Sequence, residues 1–157
     1  MSYSNYIIFF KNESISRTYN GMTNNLHRRF RQHNCIIKGG AVQTSRVIKK
    51  FPAERWKPIA IFDGFPDKSE AMRAEWRIRY PENKRKKGAK YSGPEGRIRG
   101  INYILENSDK WTQQSDIILN QNLILRIDKV YYDLLNKAAC AKHKIKIEIE
   151  ELNDLVN

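Results

Sequence analysis

The stretch of residues 19–34 constrains the fold of this chain more than any other. Strand-forming residues break at Gly21 and run directly into a strongly basic helix. In that helix, Leu26, Phe30 and His33 fall at positions i, i+4 and i+7, which is the spacing of one buried helical face. We therefore expect a strand, a tight break and a helix that packs back onto a sheet.

The same stretch brings three chemically useful side chains close together, namely Tyr19, Arg29 and His33. A phenol can give or take a proton, a guanidinium carries a permanent charge, and an imidazole titrates near neutral pH. Together they suit cleavage of a phosphodiester, provided that a carboxylate elsewhere in the chain can hold a metal ion.

That carboxylate occurs on a second predicted helix. Residues 67–70 have the form of a capping box, and they open a helix that runs to about Tyr80. Glu75 lies in the stripe of this helix that should be apolar, together with Ala71, Ala74 and Ile78. Because an ionised carboxylate is rarely buried without a cation beside it, we expect Glu75 to point inward toward such a partner.

The remaining signals complete an α+β fold. Residues 6–10 form a continuous apolar run, and residues 15–21 follow after a short turn, which predicts an antiparallel hairpin. Residues 36–45 are expected to form a loop, and residues 55–62 a third strand. We thus predict a small antiparallel sheet of about three strands, flanked by helices, within a core domain of residues 1–83.

Residues 84–157 are predicted to form a basic loop and a mainly helical C-terminal extension. Helices are expected at residues 97–107 and 129–141, and a short strand at residues 122–127. The alternation of residues 144–150 is typical of a strand, although an acidic terminal helix also fits.

Charge is distributed unevenly along the chain. Residues 1–100 hold 22 basic and 8 acidic side chains, a net charge of +14, whereas the remaining 57 residues hold 7 and 9, a net charge of −2. The front of the molecule therefore favours a polyanion, with nucleic acid as the leading candidate. The back of the molecule suits self-association or a protein partner.

Cysteine usage and hydropathy argue against other classes of protein. Cys35 and Cys140 are too few and too far apart for a disulfide framework or a CxxC-type site, so no zinc is expected. No stretch approaches the roughly 20 apolar residues that span a bilayer, which predicts a soluble, intracellular protein without a membrane partner.

The order hairpin, helix, strand, helix, with tyrosines on the first two strands and a glutamate on the second helix, resembles the GIY-YIG nuclease superfamily. Within it, the chain is similar to the catalytic subunits of Slx-type structure-specific endonucleases. That similarity is carried by Gly39-Gly40-Ala41, Thr44-Ser45, Gly64-Phe65-Pro66, Glu75-Trp76 and Pro81. The resemblance covers residues 3–83 and implies a GIY-YIG-like fold, a divalent cation and a DNA substrate.

The resemblance also assigns the candidate catalytic residues. Tyr6 and Tyr19 stand where the tyrosines of the two family signatures stand. Arg29 and His33 match the arginine and histidine of the first helix, and Glu75 matches the metal-binding glutamate.

Two departures from the family pattern are visible. The first signature reads Asn5-Tyr6-Ile7 rather than Gly-Ile-Tyr, and the second reads Tyr19-Asn20-Gly21 rather than Tyr-Ile-Gly. Asn20 replaces an apolar residue, so its amide needs hydrogen-bond partners if it is buried. The chain also offers no ligands for the RING-like zinc module of the Slx-type subunits, which leaves scaffold binding open and fits a short viral or mobile-element version.

The chemistry implied is hydrolysis assisted by a single metal ion. One inward glutamate without a cluster of acids favours one Mg²⁺ or Mn²⁺ on Glu75 rather than a two-metal site. Tyr19, or else Tyr6, would take a proton from water, and Arg29 would favour the phenolate and stabilise charge on the phosphate. His33 would relay the proton or bind phosphate.

Each of these residues also has a plainer structural interpretation. A strand tyrosine is more often core than catalyst, Arg29 alone would be a solvated helix cation, and His33 alone would bond a backbone carbonyl at the edge of the core. For Glu75 the functional interpretation is favoured, since an apolar residue is expected at its position in the helix. The joint pattern outweighs the separate alternatives.

A set of basic residues is predicted to follow the DNA backbone. They are Arg28, Arg31, Lys38, Arg46, Lys49, Lys50, Lys84, Arg85, Lys86 and Lys87. The run from residue 84 to 90 is equally typical of a solvated loop or a localisation signal. Phosphate contacts give affinity without sequence information, which suits recognition of branch shape.

The sequence therefore predicts a metal-dependent endonuclease that cleaves flaps, forks or Holliday junctions in DNA repair or recombination, in the nucleus if the cell is eukaryotic. A catalytically inactive DNA-binding module of the same fold is one alternative, and retention of the candidate catalytic residues disfavours it. A homing-type GIY-YIG endonuclease is another, but the nearly neutral final 57 residues are a poor DNA-reading domain.

Overall fold

A single five-stranded sheet organises the computed structural model, which describes residues 2–86 and 88–156. The strands are β1 (Tyr3–Lys11), β2 (Ser16–Thr23), β3 (Lys57–Phe65), β4 (Ile124–Asp128) and β5 (Lys146–Glu150), and they lie in the order β2-β1-β3-β4-β5. The β4–β5 pair is parallel, and the other neighbouring pairs are antiparallel. The α+β class is confirmed, but the prediction of about three strands is wrong because β4 and β5 extend the sheet.

Helices cover the sheet. The α-helices in the described part of the chain are α1 (Leu26–His33), α2 (Val42–Lys50), α3 (Lys68–Arg79), α4 (Gly93–Asn107) and α5 (Lys137–Lys142). Short 3₁₀ helices occur at Ala89–Tyr91, Ile118–Asn120, Lys129–Leu134 and Leu152–Val156. Among the helices of residues 2–86 and 88–156, none has the length and apolar character needed to cross a membrane.

Local predictions are wrong in the segments 36–45 and 129–141. The segment 36–45 is not a loop throughout, since α2 begins at Val42. The helix expected over 129–141 is broken, because the backbone leaves the 3₁₀ helix at Leu135 and Asn136 then caps α5 by accepting from the N–H of Ala139 at 3.0 Å. For residues 144–150, the strand alternative is confirmed by β5.

Side chains of β1 alternate between the two faces of the sheet. Tyr6 and Ile8 pack on one face with Phe30 of α1 and Ile48 of α2. Ile7 packs on the opposite face, in the larger cluster that contains the buried residues of α3 and α4. Each fully buried side chain of this kind contributes about 1.5–3 kcal/mol to folding. This alternation places α1 and α3 on opposite faces, and β2 is the edge strand beside both.

The larger cluster draws on both sides of residue 83. Phe62 and Ala74 come from the first segment, and Ile101 and Leu125 come from the second. The division of the chain at residue 83 stays a prediction, and the segment that follows it contributes β4, β5 and α4 to the packed structure.

Candidate active site

The register of the hairpin puts the two signature tyrosines on one face. Tyr6 pairs with Gly21, and Ile8 pairs with Tyr19. Because alternate residues of a strand share a face, Tyr6, Gly21 and Tyr19 are neighbours on it. A methyl group at residue 21 would overlap the Tyr6 hydroxyl, so only glycine leaves room for the phenol. The predicted break at Gly21 is wrong, since β2 continues through this residue to Thr23. The glycine is required by the Tyr6 phenol that lies against it, not by a turn.

Helix α1 brings Arg29 and His33 to these tyrosines. Asn25 caps the helix, since its side chain accepts from the backbone N–H of Arg28 at 3.0 Å. His33 is fully buried at 0% exposure, and its Nε2 lies 2.6 Å from the Tyr6 hydroxyl. The rings of His33 and Tyr19 are 5.2 Å apart between centroids.

A directional chain of hydrogen bonds runs through Tyr6 and His33. The Thr44 hydroxyl donates to the carbonyl of Ala41 at 3.2 Å, which leaves its oxygen free to accept from the Nδ1–H of His33 at 2.7 Å. Nε2 of His33 then carries no proton and accepts from the Tyr6 hydroxyl. The Tyr6 oxygen in turn accepts from Nε–H of Arg29 at 3.2 Å. The neutral imidazole is thus held in the tautomer that can receive the Tyr6 proton.

Burial sets the protonation states of this pair. It lowers the pKa of His33 to about 3, with a smaller contribution from the charge of Arg29, so the imidazole is neutral at pH 7. Burial also raises the pKa of Tyr6 well above its ordinary value, although the hydrogen bond and charge of Arg29 oppose that rise. Tyr6 is therefore a neutral phenol that needs an acceptor for its proton before it can act as a base.

Arg29 spans the site and the loop that follows α1. Its Nη1 donates to Oε1 of Gln32 and to the carbonyl of Gly39, each at 3.0 Å. The loop passes so close to α1 that a methyl group on Gly40 would overlap the backbone carbonyl of Gln32. Gly40 is therefore required by this close approach of backbone to backbone, whereas Gly39 is favoured by its φ of +109°.

Glu75 reaches the site from the other face of the sheet. Ala71, Ala74 and Ile78 of its stripe are buried as predicted, whereas the Glu75 side chain remains 28% exposed. Its carboxylate accepts from the backbone N–H of Met22 on edge strand β2. Glu75 therefore lies at the rim of the core, next to β2.

Burial raises the pKa of the Glu75 carboxyl, and the positive charges of Arg79 and Arg29 oppose the rise. Arg79 is a distant partner, with its Nη2 3.8 Å from Oε1 of Glu75. The carboxylate thus lies in an environment that penalises its charge, and Arg79 and Arg29 offset that penalty only in part.

The donor chemistry of Glu75 fits a hard divalent cation. Within residues 2–86 and 88–156, no three or more His, Cys, Asp and Glu side chains converge into a group that could hold a metal. Mg²⁺ keeps several waters and is commonly bound through one or two carboxylates together with substrate phosphates. A single, partly exposed carboxylate with an incompletely offset charge meets that requirement.

The predicted DNA-binding residues that the structure describes lie in two regions of the chain, one around α1 and α2 and the other on the loop after α3. Arg28, Arg31, Lys38, Arg46, Lys49 and Lys50 are all exposed on α1, α2 and the loop between them. A cleft of about 720 Å³ brings three of them together, and we call it the lysine cleft; it is lined by Gly39-Gly40 and by Lys38, Arg46 and Lys49.

The other predicted cations do not share that cleft. Lys50 lies over the ring of Phe51 at 5.5 Å, and Arg31 borders a small cavity beside the Leu152–Val156 helix. The three cations at positions 84–86 are exposed on the loop after α3, and Lys87 lies outside the described residues.

Two residues with a role in this geometry were missed by the sequence reasoning. Thr44 fell in the predicted loop, and it was named only among the residues that carry the Slx-type similarity, without a role in the site. Arg97 is 6% exposed on α4, where it occupies i of an i, i+4, i+7 stripe with Ile101 and Ile104. This is the same signal that identified Glu75, a charged residue within an apolar stripe.

Arg97 supplies one of the partners that Asn20 was predicted to need. Nη1 of Arg97 donates to Oδ1 of Asn20 at 3.1 Å, and Nδ2 of Asn20 donates to the backbone carbonyl of Glu75 at 3.0 Å. The polar residue in the second signature is therefore satisfied, and it links β2 to α3 and α4.

Comparison with known proteins agrees with this arrangement. The family model described as the GIY-YIG catalytic domain matches residues 2–91. The chain therefore belongs to the GIY-YIG family, as the sequence resemblance predicted.

Individual relatives show which members of the GIY-YIG family this chain is similar to. The chain is 32% identical over 111 residues to structure-specific endonuclease subunit slx1 of Talaromyces stipitatus, covering 71% of this chain and 28% of that protein. It is 35% identical over 85 residues to the subunit slx1 of Schizosaccharomyces japonicus, covering 54% and 29%. The SLX1 homolog of Monosiga brevicollis is 42% identical over 66 residues, covering 42% and 14%. These matches confirm the Slx-type resemblance, and the chain spans less than a third of the length of each of these relatives.

Proposed function

We propose that this chain is a metal-dependent endonuclease that selects branched DNA by its structure. The observation that carries the proposal is the hydrogen-bonded series Arg29, Tyr6, His33 and Thr44 in a GIY-YIG fold. Burial raises the pKa of Tyr6, and Glu75 is close enough for its charge to add to that rise. The relatives are named as subunits of structure-specific endonucleases, which supports branched DNA as the substrate.

Tyr6 acts as the proton acceptor in this proposal. As it takes a proton from the attacking water, it passes its own proton to Nε2 of His33, 2.6 Å away. A phosphate bound beside Arg29 adds negative charge near the imidazole, which raises the pKa of His33 and improves it as an acceptor. Tyr19, the base favoured from the sequence, is the alternative here. Its ring packs against His33, but no hydrogen bond of its hydroxyl occurs among the described residues.

Arg29 and Glu75 handle the charge that develops during cleavage. The Arg29 guanidinium stabilises the phosphate oxygens in the transition state. Glu75 is the residue that would hold one Mg²⁺ or Mn²⁺ together with water molecules. That cation, when bound, supplies Lewis-acid stabilisation of the phosphate and of the leaving 3′-oxygen. The products are a 5′-phosphate and a 3′-hydroxyl.

The lysine cleft gives the enzyme a path for the DNA backbone beside the active site. Lys38, Arg46 and Lys49 line it, and the Arg29 contact to Gly39 joins it to Tyr6. Such contacts are independent of sequence, so shape decides which substrates fit. A further subunit or a second copy of the chain would use the less basic C-terminal side, and in a eukaryotic cell the enzyme would act in the nucleus.

The test compares end-labelled four-way junction, flap and fork substrates with a linear duplex of the same sequence, in Mg²⁺ or Mn²⁺. We expect cleavage of branched substrates by the wild type and a loss of about 10²-fold or more in Glu75→Gln. Glu54→Gln, which changes an exposed acid before β3, serves as the matched control and should cleave normally.

Three outcomes would contradict parts of this proposal. A wild-type protein that binds DNA but cleaves no substrate would support an inactive DNA-binding module. Undiminished cleavage by Glu75→Gln would remove Glu75 from the mechanism. Equal cleavage of linear and branched DNA would contradict selection by structure.

A further inference from the structure

A second cleft of about 650 Å³ lies beside Tyr19 and adjoins the lysine cleft at Val42, which lines both. We call it the arginine cleft, because Arg79 and Arg97 supply its charges, and its other lining residues are Thr18, Tyr19, Asn20, Ala41, Val42, Gln43 and Tyr80. Its described lining includes no Asp or Glu. The cleft is therefore cationic and shares one wall, Tyr19, with the candidate active site.

Arg97 is a buried cation, and the two side chains that accept its hydrogen bonds among the described residues are both neutral. Its Nε donates to Oγ1 of Thr18 at 3.0 Å, and its Nη1 donates to Oδ1 of Asn20 at 3.1 Å. No carboxylate is paired with Arg97, and no acceptor for its Nη2 is found, within the described parts of the chain. Burying a charge without an opposite charge is costly, so this guanidinium is suited to an anionic ligand.

The electrostatics of the cleft agree with this geometry. Burial, with a smaller contribution from the nearby positive charge of Arg79, lowers the pKa of Arg97 to about 10. Arg97 remains a cation at pH 7, and the two like charges repel each other across the cleft. An anion between them would remove both penalties.

Asn20 fixes the position of this cation relative to the active site. It accepts from Arg97 and donates to the backbone carbonyl of Glu75 at 3.0 Å. The isoleucine that the second family signature has at this position can make neither hydrogen bond. Asn20 in the second signature and the buried Arg97 of α4 thus depend on each other through this hydrogen bond.

We propose that the arginine cleft binds a backbone phosphate of the DNA substrate, next to the phosphate that is cleaved, with Arg97 as its principal ligand and Arg79 as the second. The inference rests on the proposed function, and it adds a contact that fixes which phosphodiester reaches Tyr6 and Glu75. The forked donors of a guanidinium match phosphate oxygens, and Nη2 is available for that contact. The contact carries no sequence information, because every nucleotide presents the same phosphate.

The test measures binding of an end-labelled flap between 50 and 200 mM salt, in a Glu75→Gln background so that the DNA stays intact. Removing one phosphate contact with Arg97→Gln should weaken binding and reduce the slope of log affinity against log salt by about 0.7–0.9. Arg99→Gln is the matched control, because Arg99 is exposed on the same helix and donates to the carbonyl of Lys90. We expect its slope to equal that of the parent protein.

A double variant separates phosphate binding from a purely structural role. Asn20→Ile with Arg97→Leu replaces the polar pair by apolar side chains, an exchange that folded proteins tolerate better than loss of one partner. If this variant folds and keeps the parental salt slope, Arg97 serves only to satisfy Asn20 and the proposal is overturned. A slope reduced as in Arg97→Gln supports the proposal.

A further experiment modifies the DNA instead of residues 20 and 97, so its result does not depend on how the Asn20 and Arg97 variants fold. Neutral methylphosphonates are placed one at a time at the phosphates flanking the cleavage site, and the slope is measured with Glu75→Gln protein. One flanking position should lower the slope by the same amount as Arg97→Gln, and no effect at any flanking position would overturn the proposal. Cleavage of branched DNA by the wild-type enzyme is measured in parallel. If the wild type cleaves but no methylphosphonate changes the salt slope, the phosphate site in the arginine cleft is contradicted and the proposed nuclease function is not.

Discussion

The Tyr6 hydroxyl lies 2.6 Å from Nε2 of His33, although the two residues are 27 positions apart in the chain. The contact joins the central part of β1 to the last residue of α1. Because Thr44 fixes the proton of His33 on Nδ1, the contact has a direction, from the phenol to the imidazole. The proton that Tyr6 must lose has a ready acceptor.

Removal of this hydroxyl should therefore abolish most of the activity. In Tyr6→Phe we expect the rate of cleavage to fall by about 10²–10⁴, the usual contribution of general acid–base catalysis, while DNA affinity changes little. Single-turnover cleavage of a flap measures the rate. Tyr3→Phe is the control, since Tyr3 lies on the same strand and packs into the cluster on the other face. Wild-type rates in Tyr6→Phe would transfer the role of base to Tyr19.

The Thr44 hydroxyl should matter although it touches no substrate. In Thr44→Val the buried Nδ1–H of His33 loses its acceptor, which should lower the free energy of unfolding by about 1–3 kcal/mol. Cleavage should fall as well, and its pH profile should shift, because the tautomer of His33 is no longer fixed. Thr44→Ser keeps the hydroxyl and should rescue both. Denaturant unfolding and pH–rate profiles measure these effects, and equal behaviour of the valine and serine variants would refute the positioning role.

His33 should make the folded state sensitive to acid. Its pKa is about 3 in the folded protein against 6.5 ordinarily, so between these values the unfolded chain binds a proton that the folded protein does not. The stabilising contribution is fully present above pH 6.5 and is lost as the pH falls toward 3, with a slope of up to about 1.4 kcal/mol per pH unit.

The measurement compares the free energy of unfolding of wild type and His33→Gln between pH 7 and pH 4. The advantage of the wild type should shrink as the pH falls. His27→Gln, which changes an exposed histidine of the same helix, should follow the wild-type curve throughout. A constant difference between wild type and His33→Gln would show that the imidazole does not titrate between the two states as described.

The lysine cleft predicts a graded dependence of DNA binding on salt. Each of Lys38→Gln, Arg46→Gln and Lys49→Gln should reduce the log–log salt slope by about 0.9 on duplex arms, uniformly across DNA sequences. Lys142→Gln, at the end of α5, is the control and should leave the slope unchanged. Filter binding or fluorescence anisotropy gives the slopes, and insensitivity of all three cleft variants would exclude the cleft as the path of the backbone.

The elements with local signals were predictable from sequence. The hairpin follows from apolar runs separated by a turn, and Asp67 caps α3 as predicted by accepting from the N–H of Glu70 at 2.9 Å. Helix α2 was missed because its buried residues are Thr44 and Ile48, and Thr44 is buried for a hydrogen bond rather than for apolar contact. The place of β4 in the sheet depends on pairing with β3 across a long separation, which no local pattern encodes.

The identity of the candidate site residues could be proposed from the family resemblance, but their connections could not. The direction of the hydrogen bond from Tyr6 to His33 depends on a third residue, Thr44, to which the family resemblance assigned no role in the site. Asn20 was recognised as needing partners, and the structure supplies Arg97 from a helix 77 positions away. Such partnerships are decided by tertiary packing.

The position of β4 late in the sequence has a consequence during translation. Strand β3 ends at Phe65 and its partner β4 begins at Ile124, so about 60 residues must be synthesised between them. At ordinary translation speeds this takes roughly 3–12 s. During that interval one edge of β3, with its unpaired N–H and C=O groups, is open to pairing with another chain. A nascent chain that pauses before residue 124 would therefore be more prone to aggregate than one that is completed without delay.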